Sequence, residues 1–240
     1  MAKYFDIVFE DAHIIVVNKA AGVLTIPDRY MPNLPNLRAT LSKTREEIFV
    51  VHRIDKETSG LVMFCKSAEV HKVISVLFEE RKIQKKYRAI VQGTVAGEEG
   101  TIDSPILIQK DKAKVSISPK GKESITHYKV IQKFRGYTHL ELELETGRRH
   151  QIRVHLYSLT CPIVCDSMYG DTGPFFLSKI KRKNFNLKKY EEERPLLSRQ
   201  ALHAYSLSFT HPTTNELMEF KVDPPKDMRA VLTQLRKLNI

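Results

Sequence analysis

Val51-His52-Arg53-Ile54-Asp55-Lys56-Glu57-Thr58-Ser59-Gly60-Leu61-Val62 joins two apolar runs of strand length, Phe49 to Val51 and Leu61 to Cys65, through a connection that is almost wholly charged, hydroxylated or glycine. Such a connection presents one carboxylate, Asp55, from a loop held at both ends by rigid strands, the usual mounting of a catalytic group. A plain charged hairpin would have the same composition, so the stretch alone leaves both readings open.

Outward from it, Ile14 to Val17, Tyr87 to Val91 and Tyr205 to Phe209 are further strand-like runs, rich in β-branched, aromatic or alternating apolar residues. His139-Leu140-Glu141-Leu142-Glu143-Leu144-Glu145 alternates most cleanly, with three leucines expected on one sheet face and the acids on the other. Between Ala68 and Gln84 the apolar residues Val70, Val73, Ile74, Leu77 and Phe78 recur at helical spacing, with Ser67 placed as N-cap. A second stripe, Met228, Val231, Leu232, Leu235 and Leu238, follows Pro224 and Pro225. Many short strands with a few helices among them imply an α+β fold with an antiparallel or mixed sheet, not a regular βαβ alternation. Pro27 to Asn36 reads as irregular connection. The stretch 173–199 mixes Lys179, Lys181, Arg182, Lys183, Lys188 and Lys189 with Phe175, Phe176, Phe185 and Tyr190. It reads either as an RNA-contacting surface or as a solvated insertion packed by its own aromatics.

The 240 residues carry 39 Lys and Arg against 28 Asp and Glu, a formal charge of +11 that favours polyanions through counterion release. RNA and DNA lead and acidic membranes follow; a basic surface that is simply solvated fits the charge equally well. Cys65, Cys161 and Cys165 lack the paired spacings of a zinc site and imply a reduced, cytoplasmic chain. His150 and His155 lie five apart, which on a helix turns them roughly 140° from each other, so no metal is expected. The N-terminus lacks a basic n-region followed by a cleavable apolar core, and nothing is long and apolar enough to span a bilayer. No phosphate-binding glycine loop or dinucleotide fingerprint appears, and no cofactor is expected.

His52-Arg53-Ile54-Asp55-Lys56-Glu57-Thr58-Ser59-Gly60 resembles the H-R-L-D-x-x-T-S-G signature of the RluA-type pseudouridine synthases, with isoleucine for leucine. Val16 to Gly22 resembles V-V-N-K-P-x-G with Ala20 for proline, and Lys85-Lys86-Tyr87 resembles the K-x-Y strand. Thr146 to Leu156 resembles T-G-R-T-H-Q-I-R-V-H-L with Arg149 for threonine. Pro162 to Asp166 with Tyr169-Gly170 resembles P-I-x-G-D-x-x-Y-G with Cys165 for glycine, and Leu202-His203-Ala204 and His211-Pro212 resemble the L-H-A and H-P elements. The resemblance runs from about residue 5 to residue 222. It implies one catalytic domain over 1–240, built on a long, bent, mainly antiparallel sheet flanked by helices and loops, with a central RNA cleft and without an S4 RNA-binding module.

The same resemblance implies an isomerase that turns chosen uridines of structured RNA into pseudouridine, ribosomal RNA before transfer RNA, as a monomer. Asp55 is expected as the nucleophile, Tyr87 as the ring beside the flipped uracil, and Arg153 as the salt-bridge partner that keeps Asp55 ionised. Arg53, His52, Thr58 and Leu202 are expected to line the substrate site, Arg53 entering the vacated base stack and Leu202 forming an apolar wall. Whether the carboxylate adds to C6, adds to C1′ or assists elimination to a glycal is open. A non-catalytic RNA-binding factor would share the charge without needing the aspartate, tyrosine and arginine together. A metal-dependent nuclease would need clustered acids near Asp55, where Glu57 alone is close in sequence.

Overall fold

Ser59 to Cys65 is apolar or small at successive positions rather than alternate ones, so a strand built from it must be covered on both faces, and all seven residues are buried. The structure, a computed structural model, describes residues 4–109, 113–170, 173–181 and 192–238. Its elements begin with β1 (Phe5–Glu10), β2 (Ile14–Lys19), α1 (Leu37–Leu41), β3 (Phe49–Val50), β4 (Ser59–Cys65) and α2 (Ala68–Glu79). Next come β5 (Gln84–Gln92), β6 (Glu99–Asp103), β7 (Ile106–Leu107), β8 (Ser116–Ile117), β9 (Ile125–Phe134) and β10 (Tyr137–Leu144). The chain ends with α3 (Gln151–Ser158), α4 (Leu177–Lys181), β11 (Leu202–Thr210), β12 (Leu217–Lys221) and α5 (Lys226–Lys237). This is the expected α+β class, mostly antiparallel sheet with few helices.

Two compact units share these elements, the first drawn from Met1–Tyr87 and His203–Asp223, the second from Arg88–Leu202 and Pro224–Ile240. In the first, the strands run β1-β2-β4-β11, with β3 on β4 and β12 on β11. The pairs are antiparallel except β4 with β11, which run parallel through His203↔Ser59 and Ala204↔Gly60. Gly60 is required there: its φ is +113°, and a Cβ would lie 2.2 Å from the carbonyl oxygen of Ala204. Ile14, Val16, Leu61, Met63, Ile74 and Phe209 lead the core of this unit.

In the second unit β5, β10, β9 and β6 follow in that order, beside a separate β7-β8 pair. The leucine alternation of β10 buries Leu140 and Leu142 fully and Leu144 in part. The helix begins where the cap predicts, Ser67 accepting the Val70 N–H, but it stops at Glu79, short of Gln84. Arg81 turns left-handed at φ 58°, and the buried Ile83 that follows belongs to the turn. In α5, Met228, Val231, Leu232 and Leu235 are buried as the stripe requires. Within the insertion, Phe175 is buried and bridged to Leu197; Arg182, Lys183, Phe185, Lys188, Lys189 and Tyr190 lie outside the described residues. Among the described residues no helix is long and apolar enough to cross a membrane.

Candidate active site

Asp55 sits between β3 and β4 in backbone that belongs to neither, and such a loop keeps its shape only if its peptide groups are satisfied elsewhere. They are. The Ile54 carbonyl accepts from the Thr25 hydroxyl at 3.2 Å, and the Asp55 carbonyl accepts the Thr58 N–H at 3.1 Å. The Lys56 carbonyl accepts both the Gly22 N–H and the Lys19 ammonium, each at 2.9 Å. Lys19 is only 1% exposed, and its Nζ also donates to Ala20 O at 2.9 Å and Val23 O at 2.7 Å. A buried ammonium distributed over three carbonyls is a satisfied charge, and it fastens the V-V-N-K segment beneath the aspartate loop.

His52 opens the loop. Its Nε2 accepts the Met63 N–H at 2.9 Å, so the ring is neutral with its proton on Nδ1. Burial, and then the charge of Lys85, depress its pKa to about 3. Lys85 lies over the Phe78 ring at 5.4 Å, and burial lowers its own pKa. Tyr87 is buried. Burial first, and then the negative charge of Asp55, push its phenol above the ordinary value, so Tyr87 stays protonated and senses the carboxylate. Thr58 is buried and Arg53 is exposed.

Behind the loop, the T-S-G and L-H-A elements meet. His203 Nε2–H donates to Val222 O at 2.9 Å, which fixes the tautomer and leaves Nδ1 to accept from the Ser59 hydroxyl at 2.9 Å. The H-P element is a turn device: His211 Nε2–H donates to Asp11 Oδ2, while Nδ1 accepts the Thr213 and Thr214 N–H groups.

In the second unit Arg153 projects from α3 into the interior, 6% exposed, and makes a two-pronged ion pair with Asp166. Nε meets Oδ2 at 2.7 Å and Nη2 meets Oδ1 at 2.8 Å. Asp166 Oδ1 also accepts the Met168 and Tyr169 N–H groups, and the guanidinium lies over the Tyr169 ring at 5.2 Å. Burial pushes the Asp166 carboxyl up, but the bonds to Arg153 outweigh it and hold the pKa below the ordinary carboxylate value. Lys19 and Asp166 are site residues that motif resemblance alone leaves without a role; the signal that marks them in the sequence is a charged residue inside an otherwise apolar or small stretch.

His150 and His155 have other work. His155 Nε2–H donates to Ser104 O at 3.0 Å and Nδ1 accepts from Thr126 Oγ1 at 2.9 Å, while His150 Nδ1 meets the Tyr169 hydroxyl at 3.1 Å. Leu202 is buried, its carbonyl accepting from Arg199 at 3.4 Å.

A family model described as RNA pseudouridylate synthase matches residues 13–158. The chain is 36% identical over 239 residues to a ribosomal large subunit pseudouridine synthase D of Buchnera aphidicola subsp. Acyrthosiphon pisum, covering 97% of this chain and 74% of that protein. It is 35% identical over 240 residues to the protein of the same name in Pseudomonas aeruginosa, covering 97% and 72%. An uncharacterized RNA pseudouridine synthase of Bacillus subtilis (strain 168) is 35% identical over 243 residues, covering 97% and 73%. Among solved structures, human RNA pseudouridylate synthase domain containing 4 shares the fold, with a TM-score of 0.73 at 24% identity over 96% of this chain and 92% of that one.

Proposed function

The chain belongs to the RNA pseudouridylate synthase family and is an RNA pseudouridine synthase; from that premise we propose that it acts on ribosomal RNA, with Asp55 as nucleophile toward a flipped uridine. The single observation that carries the role of Asp55 is its mounting: the carbonyls of Ile54, Asp55 and Lys56 are all tied down, and the charge of the carboxylate reaches the Tyr87 phenol. Ribosomal RNA is favoured because relatives at 33–36% identity are named for the large ribosomal subunit.

The reaction breaks the bond between ribose C1′ and uracil N1, turns the base, and closes the bond from C1′ to C5; the C5 hydrogen then leaves as a proton to solvent and N1 takes up a proton, so the product is an isomer of the substrate. The uridine must leave its stack first, at a cost of a few kcal/mol that contacts to the flipped base and the phosphates offset. Asp55 attacks as the carboxylate. Tyr87, kept protonated, supplies a ring wall and a neutral hydroxyl, and removal of the C5 proton by a phenolate is disfavoured. Arg153, held by Asp166, is the second charged participant. Arg53, exposed on the loop, contacts the RNA backbone or the vacated stack, and His52, Thr58 and Leu202 shape the site. The reading takes 1–240 as one catalytic domain that acts as a monomer in the cytoplasm.

Tritium release from RNA carrying 5-tritiated uridine tests it. Asp55→Ala is expected to lower the rate at least about 10⁴-fold, the scale on which loss of a catalytic nucleophile acts, with the fold intact. An alanine variant as active as the wild type ends the assignment. Mapping pseudouridines in total RNA with and without the gene separates ribosomal from transfer RNA.

A further inference from the structure

A cavity of about 290 Å³ in the second unit is lined by Gln92, Tyr137, Val164, Cys165, Phe175 and Lys179, among others. Its walls are fixed by main-chain bonds. The Val164 N–H donates to Ile90 O at 2.9 Å, the Ala201 N–H to Val164 O at 2.9 Å, and the Gln92 N–H to Pro162 O at 2.8 Å. At the base of the insertion the Phe175 N–H donates to Leu197 O at 2.7 Å, and the Leu196 N–H to Phe175 O at 2.8 Å. Tyr137 and Phe175 pack edge to face, with centroids 5.4 Å apart and planes at 74°. Cys165 holds a left-handed φ of 58°, a conformation that a side chain adopts at a cost, and its thiol donates to Leu197 O at 3.5 Å. A glycine there would avoid the strain and leave the wall open, so the cysteine closes this side of the cavity.

The volume stands at the lower edge of the small-ligand range of roughly 300–1,000 Å³, which suits one planar group and not a folded partner. The lining chemistry is equally selective. Aromatic carbons offer stacking, the Gln92 amide belongs to the side-chain type that both donates and accepts, and Lys179 is an exposed cation. Flat ring, hydrogen-bonding edge and adjoining negative charge describe a nucleotide. We propose that this cavity is a subsite for one unpaired nucleobase of the RNA substrate, with Lys179 taking the neighbouring phosphate. The proposal rests on the reading of the chain as an RNA-modifying enzyme.

The test uses the full chain and two fluorescein-labelled single-stranded probes, a uridine decamer and a decamer of abasic ribose phosphates, followed by anisotropy. Tyr137→Leu and Gln92→Ala are expected to weaken the uridine decamer, the former by roughly 5- to 100-fold, and to leave the abasic decamer unchanged. Lys179→Ala should weaken both alike and make the salt dependence shallower by about one phosphate contact. Gln92 and Lys179 are accessible at the surface, so those two variants decide the matter even if Tyr137→Leu fails to fold. Uridine-decamer affinities equal to wild type in Gln92→Ala, together with an unchanged salt slope in Lys179→Ala, overturn the subsite. A wild type that binds as described but releases no tritium from uridine RNA counts against the enzymatic reading instead, so the two failures are distinguishable.

Discussion

The loop that carries Asp55 and the helix that carries Arg153 are immobilised by opposite means. Around Asp55 the restraint falls on peptide atoms, and the charge that supplies it is the ammonium of Lys19, a different residue. Arg153 is restrained through its own guanidinium, which Asp166 grips at two nitrogens. A group that must form and break a bond has to be placed within about 0.5 Å of the productive geometry, and a held backbone supplies that placement. A group whose task is to present a fixed charge can be held by that charge. The contrast also predicts different failures: loosening the loop should cost geometry, whereas breaking the ion pair should cost the fold.

Breaking the ion pair is expected to have the largest effect. Asp166→Asn takes the two-pronged carboxylate away from the Arg153 guanidinium, 6% exposed, and removing one partner of a buried pair costs about 3–5 kcal/mol. Urea unfolding at neutral pH measures it. The double variant Arg153→Met with Asp166→Leu replaces the pair by apolar groups and should recover most of that loss, because a buried pair is worth little over a packed apolar substitute. The double variant is expected to remain inactive. Recovery of both stability and activity would show that Arg153 only holds structure, and the contrast between the two regions would collapse.

Much of this was legible in the sequence, and the residues show where legibility ends. β4, β10 and the capped helix announced themselves through apolar runs, alternation and Ser67. β9 did not: its residues Thr126, Lys129 and Gln132 break any apolar pattern, and Thr126 is buried because Gln151 and His155 bond to it. At the site, the aspartate, tyrosine and arginine were read from motif resemblance. The clamp was invisible because its acceptors are main-chain carbonyls, which every residue possesses, and the Lys19 to Lys56 bond spans 37 positions. The Arg153 to Asp166 pairing spans 13 and follows no helical or strand period.

Loosening the loop is expected to have the next effect. Lys19→Met keeps the apolar stem and deletes the ammonium, leaving the carbonyls of Ala20, Val23 and Lys56 without that donor, the Val23 carbonyl in buried surroundings and the other two in part-buried ones. Each charge-assisted bond is worth about 1.5–3 kcal/mol, but burying the lysine also has a cost, so a net loss of about 3 kcal/mol is expected. Activity should fall further than RNA affinity, since the chemistry of Asp55 depends on its placement more steeply than does the contact made by the long, exposed Arg53 side chain. Equal losses in kcat and in RNA affinity would mean that the lysine supports the whole unit instead of the loop.

Acid should separate the two regions, with the smallest effect. The folded protein holds His52 neutral, its Nε2 accepting from Met63, with a pKa near 3 against an ordinary 6.5. Between those values the unfolded chain binds the extra proton, so stability is complete above pH 6.5 and declines as pH falls toward 3. At pH 5 this amounts to roughly 2 kcal/mol, from 1.5 units at 1.36 kcal/mol each. Asp166 also has a lowered pKa, but its ordinary value is 3.8, so its stabilisation is untouched at pH 5 and is lost only below that range. At pH 5, then, the stability that depends on a neutral His52 is reduced, while the stability that comes from the Arg153–Asp166 pair is intact. His52→Gln keeps an acceptor for the Met63 N–H and removes the proton site, and it should lose about 2 kcal/mol less than the wild type between pH 7 and pH 5 in urea unfolding. His139, depressed to about 4, and His155, also lowered, act with the same sign, but both remain in the two proteins and cancel in the comparison. Identical losses in wild type and variant would mean that the His52 ring takes up its proton inside the fold.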